Sequence, residues 1–234
     1  MNRTRLAAGG VLVVAALGAG LIARRSRIGP LAATPVPAAD TAPLQPTGPQ
    51  DRLAARTKGS STAPITVYEI ADFQCPACRT FWQETMPALE REYVTPGKVR
   101  VIFLNLPLQE IHPNAAAAHQ FAMCAAEQGK FWRIHDHLFE RQETWARMDD
   151  PSPLFLSMAD SAGLARDRLD ACLVDESVKT VVLQEREGVM RAGVRSTPSF
   201  IIQAGMDRGL FPGAVPIEAW RPILDSLFKA TTGK

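Results

Sequence analysis

Cysteine is scarce in this chain. Four cysteines in 234 residues are too few for a disulfide-dense miniprotein. Neither the glycine content nor a strict repeat suits a collagen, and 46% hydrophobic residues are too many for a disordered chain. The four histidines offer no second Cys/His pair at the short spacing structural zinc requires, and His135 and His137, two apart, face different sides of a helix. A basic surface is missing too. Residues 1–59 carry 8 Lys/Arg against 2 Asp/Glu, a net +6, while residues 60–234 carry 18 against 22, a net −4. The bulk of the chain is therefore mildly acidic, which argues against nucleic-acid binding. No internal repeat is visible. What remains is an ordinary globular composition, enough for one medium domain.

The positive excess belongs to the N-terminus. Arg3 and Arg5 precede an uncharged run from Leu6 to Ala23, and Arg24, Arg25 and Arg27 follow it. Eighteen helical residues reach about 27 Å, just enough for a hydrocarbon core. No A-x-A cleavage site ends the run, so residues 1–28 read as an uncleaved membrane anchor rather than a cleaved signal. Arginines on both flanks leave its orientation open. Six prolines between Ile28 and Gln50 mark extended, solvated chain. Residues 29–62 are therefore expected to be a linker and residues 63–234 the working domain.

Ile65 to Ala71 reads as a buried strand, and Pro76 to Tyr93 as a helix kinked at Pro87. Lys98 to Leu104 is a second strand. Four helical stretches follow, Asn114–Gln128, Lys130–Arg141, Pro153–Ala162 and Arg166–Met190, the last broken. Pro198 to Gln203 is a third strand, paired as a hairpin with a short fourth, Gly209–Phe211. A final helix covers Ile217 to Lys229. The order β-α-β, helices, β-β-α predicts an α/β fold: a small mixed sheet with helices on its faces and a helical insertion at about 113–190.

Cys75-Pro76-Ala77-Cys78 lies at a strand-to-helix junction. A thiol at a helix N-terminus meets unpaired N–H groups and the positive end of the dipole, which favour its thiolate. Cys78, one turn on, can close a disulfide with Cys75 and lies on the apolar stripe. Such a pair runs thiol–disulfide exchange through a mixed disulfide. Glu69 falls on the face of Ile65 and Val67. Buried there, it would have a raised pKa and could exchange a proton with Cys78; on an edge strand it would simply face solvent. Thr197-Pro198 opens the third strand, where X-Pro peptides are either cis or ordinary trans.

The chain resembles the DsbA-like thiol:disulfide oxidoreductases, which have a thioredoxin fold with an inserted helical domain. The resemblance covers Pro64 to Phe228. It rests on DFQCPAC (Asp72–Cys78), NLPLQEIHPNA (Asn105–Ala115), QGKFWRIHDHLF (Gln128–Phe139) and GVRSTPSFII (Gly193–Ile202). It implies that Cys75 is the catalytic nucleophile, Cys78 the resolving cysteine and Glu69 the buried catalytic acid. Pro198 is implied to be cis beside the redox pair, with the Thr197 backbone binding substrate. The family works outside the cytoplasm, which implies a periplasmic or cell-envelope location, with residues 6–23 anchored in the inner membrane. Cysteine-containing secreted or envelope proteins are the implied substrates. A membrane-embedded, quinone-linked partner (DsbB-like or VKOR-like) would reoxidise an oxidase. No organic cofactor and no metal is expected.

This sequence departs from the best-known members, which have C-P-H-C. Ala77 cannot stabilise the thiolate as their histidine does, so a less oxidising pair is expected. The family's Lys partner for the buried acid is not identifiable. Threonine before the proline also occurs in reductases and isomerases, leaving those directions as alternatives, alongside a non-enzymatic copper or zinc carrier. Four cysteines allow three pairings. With Cys75 and Cys78 assigned to the active pair, Cys124 and Cys172 remain, facing the helical core. Outside the cytoplasm they are expected to form a structural disulfide rather than stay two buried thiols. His135 is read as structural and His112-Pro113 as shaping the loop into the helical insertion; neither is assigned a catalytic role.

Overall fold

Ile65–Ala71 is an apolar run with no charged residue except Glu69, and it becomes a central strand buried on both faces. In the computed structural model, which describes residues 34–35 and 50–233, it is β3 of a mixed sheet. The other strands are β1 (Thr34–Pro35), β2 (Thr57–Lys58), β4 (Val99–Asn105), β5 (Ser199–Ala204) and β6 (Asp207–Pro212). Their order is β1-β6-β5-β3-β4-β2. β3 runs parallel to β4, with Glu69 opposite Phe103, and antiparallel to β5, with Glu69 opposite Phe200. β5 and β6 form the expected hairpin, although β6 is longer than Gly209–Phe211. The anchor reading of residues 6–23 lies outside the described residues. Among the described residues, no helix is long and apolar enough to cross a membrane.

The helical run after the cysteines is continuous but uneven. It comprises α-helix Pro76–Thr80, π-helix Phe81–Thr85, α-helix Met86–Leu89 and π-helix Glu90–Val94. Pro87 lacks an N–H and crowds the preceding turn, and the wide π-helical turn Phe81–Thr85 lies just before it. The insertion comprises helices Ala115–Ala126, Phe131–Glu140, Gln142–Trp145, Ser152–Ala162, Arg166–Leu173 and Glu176–Arg191. The anticipated break separates the last two: the Asp175 side chain accepts the Ser177 N–H and caps the second. The chain's last helix is Ile217–Thr232.

Two large apolar cores flank the centre of β3. Phe73, Phe103, Phe121, Phe131, Phe139 and Trp145 gather under the insertion. Ile65, Val67, Phe81, Leu89, Phe200 and Trp220 form the other, and Trp132 packs against both.

The linker boundary needs correction. Gln50–Ala55 is helical, Thr57–Lys58 pairs with β4, and Arg56 is fully buried. The Arg56 guanidinium donates to both Glu185 oxygens at 2.8 and 2.9 Å and to the Phe103 carbonyl at 3.2 Å. Its acidic partner lies 129 residues away, so no local pattern marks this segment as part of the fold. Gly59 then turns the chain at φ +100°, and a Cβ there would sit 2.8 Å from the Val99 carbonyl oxygen.

Candidate active site

β3 ends at Ala71, and the loop Asp72–Gln74 delivers Cys75 to the start of the helical run. Cys75 has extended backbone geometry there, with Pro76 in the first turn, where a missing N–H costs nothing. Both cysteines are free thiols in this structure, Cys75 8% exposed and Cys78 fully buried. The Cys75 S–H donates to the Thr197 carbonyl at 3.4 Å. The Cys75 pKa is lowered to about 6, chiefly by the Cys78 thiol hydrogen bond. Burial opposes this, and Thr197 and the backbone N–H groups of Cys78 and Ala77 assist it. Cys78 moves the opposite way: burial pushes it well above the ordinary thiol range, and the hydrogen bond and charge of Cys75 push further. The first proton of the pair therefore leaves Cys75. One sulfur is poised as a nucleophile and the other is held protonated, the separation of roles that disulfide exchange needs.

The Thr197–Pro198 peptide is cis, and its Thr197 carbonyl is the acceptor for Cys75. Thr197 Oγ1 is buried without a hydrogen-bond partner. A hydroxyl beside the thiol can rotate to donate once the sulfur is anionic. Glu69 is 1% exposed on the central strand, which removes the alternative of an edge strand facing solvent. Neither of its oxygens has a hydrogen-bond partner. Burial raises its pKa to about 8; Lys58 acts against this, and Glu90 and Asp136 add to it. Glu69 is consequently a protonated acid at neutral pH.

A thioredoxin family model matches residues 53–225. The chain belongs to the thioredoxin family. Within it the fold is DsbA-like, a thioredoxin sheet carrying a helical insertion. Among solved structures it is similar to alpha-DsbA1 of Wolbachia pipientis, with a TM-score of 0.65 at 20% identity, covering 75% of this chain and 92% of that one. It is similar also to oxidised BdbD of Bacillus subtilis, with a TM-score of 0.66 at 19% identity, covering 74% and 92%. A probable disulfide bond formation protein D of Bacillus cereus is 26% identical over 152 residues, 63% of this chain and 69% of that protein. A Na(+)/H(+) antiporter NhaA 3 of Salinispora tropica is 32% identical over 161 residues, 69% of this chain. The match accounts for only 23% of that antiporter's length.

In this thioredoxin-family protein, several site residues escaped the sequence reading. Lys58 is a cation whose charge acts on Glu69. It lies 4.4 Å above the Trp132 ring and pairs with Glu90. It was hidden in the stretch read as linker. Gln142, buried in the short helix Gln142–Trp145, donates to the Phe73 carbonyl at 2.7 Å and the Cys75 carbonyl at 3.0 Å. The insertion thereby grips the cysteine loop directly. His135 Nδ1 lies 2.8 Å from Asp136 Oδ1 amid aromatic rings, and burial lowers its pKa. Cys124 and Cys172 are joined in a disulfide between helices Ala115–Ala126 and Arg166–Leu173.

Proposed function

We propose that this protein is an extracytoplasmic oxidase that donates disulfides to cysteine-containing secreted or envelope proteins. Cys75 and Cys78 are its redox pair, Glu69 its proton donor, and Thr197 and Pro198 its substrate-binding edge. The opposite displacement of the two thiols, Cys75 down to about 6 and Cys78 upward, carries this reading. A stabilised thiolate favours the reduced protein and so makes its disulfide a better oxidant. A Cys75 pKa of about 6 falls between the roughly 3.5 of the strongest oxidant of this kind and the roughly 7 of thioredoxin. This suits a pair less oxidising than the C-P-H-C enzymes.

In the oxidised protein, a substrate thiolate attacks Cys75 Sγ. The Cys75–Cys78 bond breaks, and Cys78 leaves with the electron pair and takes the Glu69 proton. A second substrate thiolate then attacks the substrate sulfur of the mixed disulfide and releases Cys75 as a thiolate. The substrate has lost two electrons and the protein has gained them. A membrane-embedded, quinone-linked partner (DsbB-like or VKOR-like) would remove them again. Residues 6–23 would tether the protein to the inner membrane. Ion transport, named for the antiporter relative, is not carried over from a match to a quarter of that protein's length.

Cys78→Ser tests the mechanism. Substrates should accumulate as mixed disulfides on Cys75, visible as reducible adducts on non-reducing gels. Adducts that fail to form, or that form on another cysteine, would refute it. A reduction potential near −270 mV rather than toward about −120 mV would reverse the direction to reductase.

A further inference from the structure

Two loops meet at the C-terminal ends of the parallel pair β3 and β4. One carries Asp72–Cys75 and the other Leu106–Asn114. Three hydrogen bonds join them, and a fourth ties the second loop to the end of β3. The Leu106 N–H donates to the Ala71 carbonyl at 3.0 Å, and the Leu108 N–H to Asp72 Oδ2 at 2.8 Å. His112 Nδ1 lies 2.8 Å from the same Asp72 oxygen, and the Asn114 N–H donates to Gln74 Oε1 at 2.8 Å. His112 and Asn114 thus bond to residues that lead directly into Cys75.

Asp72 is itself wired to both cysteines. Its carbonyl accepts the Cys75 N–H at 3.0 Å, its N–H donates to Cys78 Sγ at 3.5 Å, and its Oδ1 takes the Gln74 N–H at 2.8 Å. The Asp72 side chain is fully buried, whereas that of His112 is 15% exposed, so the imidazole can trade protons with solvent while its partner stays enclosed.

We propose that His112, held by Asp72, is a positioning residue for the nucleophile, and that its imidazolium stabilises the Cys75 thiolate. The inference rests on the reading of Cys75 as the attacking sulfur. It replaces the earlier view of His112 as a loop-shaping residue and supplies a cation where Ala77 offers none.

The electrostatics agree in sign. The Asp72 hydrogen bond raises the His112 pKa; burial opposes this, and the charges of Asp72 and Cys75 add to the rise. The fall of Cys75 is led by the Cys78, Thr197 and backbone hydrogen bonds, and the thiolate–imidazolium attraction adds to these, because a Coulomb interaction acts on both members of a pair. Other charged groups around the loop do not take over this role. His119, 3.9 Å from Asp72 Oδ1, is lowered to about 4 by burial and is neutral where Cys75 ionises. Glu110, two residues before His112, pairs with Arg186 at 2.5 Å. Cys78 keeps its proton. The thiolate–imidazolium pair therefore exists from about pH 6 up to the raised pKa of His112.

Ultraviolet thiolate titration of the reduced protein tests the charge. In His112→Gln the Cys75 midpoint should rise by about half to one unit, leaving roughly 3- to 10-fold less thiolate below it. His112→Lys, which keeps a cation, should hold the midpoint down. An unchanged midpoint in His112→Gln, or an equal rise in both variants, would overturn the proposal. A second measurement needs no variant. The His112 midpoint, followed by NMR, should fall when the wild-type protein is oxidised, because the disulfide carries no charge. Identical midpoints in the two redox states would overturn the proposal. Neither readout involves turnover. A failure to trap substrate on Cys75 would refute the oxidoreductase mechanism and leave this coupling standing, and the reverse holds as well.

Discussion

Glu69 is a carboxyl group in the middle of a central strand, and nothing hydrogen-bonds to it. Its pKa is raised from 4.5 to about 8, so the folded protein holds the proton more tightly than the unfolded chain does. Between those pH values the unfolded chain has released the proton and the folded protein has not. Stability must therefore fall as pH rises, by up to about 1.4 kcal/mol per unit. In the oxidised protein, where Cys75 does not titrate, denaturant unfolding should show this decline from about pH 5 to 8. Glu69→Gln should flatten it. Equal slopes in the two proteins would mean that Glu69 is ionised in the fold. The reduced protein adds a term of opposite sign, since Cys75, lowered from 9.0 to about 6, contributes stability that grows as pH rises through that interval. The alternation of Ile65, Val67 and Glu69 along one strand made the burial of this carboxyl legible beforehand. Lys58 was not legible, because a two-residue strand carries no period and its charge reaches Glu69 across the sheet.

The longer helices of the insertion could be read from three- and four-residue spacing, because each presents enough turns for a stripe to show. Gln50–Ala55 and Gln142–Trp145 could not: one or two turns contain no repeat. The second of them nonetheless bears on the active-site loop. Its Gln142 is a buried amide whose two hydrogen bonds end on the carbonyls of Phe73 and Cys75. Gln142→Leu strips both acceptors of this donor without opening a large cavity. Each orphaned carbonyl costs about 1–3 kcal/mol, so a loss of ~2–4 kcal/mol in urea unfolding is expected. A loss below about 0.5 kcal/mol would mean that water replaces the amide at no cost and that the insertion does not grip the loop.

Across the whole molecule, the four cysteines separate into two pairs of different character. Cys75 and Cys78 sit at the strand-to-helix junction, while Cys124 and Cys172 staple two helices of the insertion, 48 residues apart. Closing a loop of that length restrains the unfolded chain by about 2–4 kcal/mol. Replacing Cys124 and Cys172 together with serine should lower the unfolding midpoint accordingly while leaving the Cys75 titration in place. A Cys75 midpoint that moves with them would show that the insertion's staple also tunes the redox pair. The fold class was legible from the β-α-β, helices, β-β-α order, because local hydrophobic periods survive tertiary packing. The start of the fold was misplaced because Arg56 looks like a solvated residue until Glu185 arrives from the far end of the insertion.

That ion pair sets a practical limit on how the protein can be shortened. Glu185 also accepts from the Asn105 backbone N–H at 3.1 Å and its side-chain amide at 2.6 Å, which binds helix Glu176–Arg191 to the end of β4. A fragment beginning at Ile65 would keep every residue of the exchange reaction. It would also strand a buried carboxylate without its guanidinium, and that carboxylate would have to take up a proton or draw the helix away from the strand to reach water. The minimal functional unit of this protein is therefore longer than its chemistry, and a truncation that keeps both this ion pair and β1 lies before Thr34.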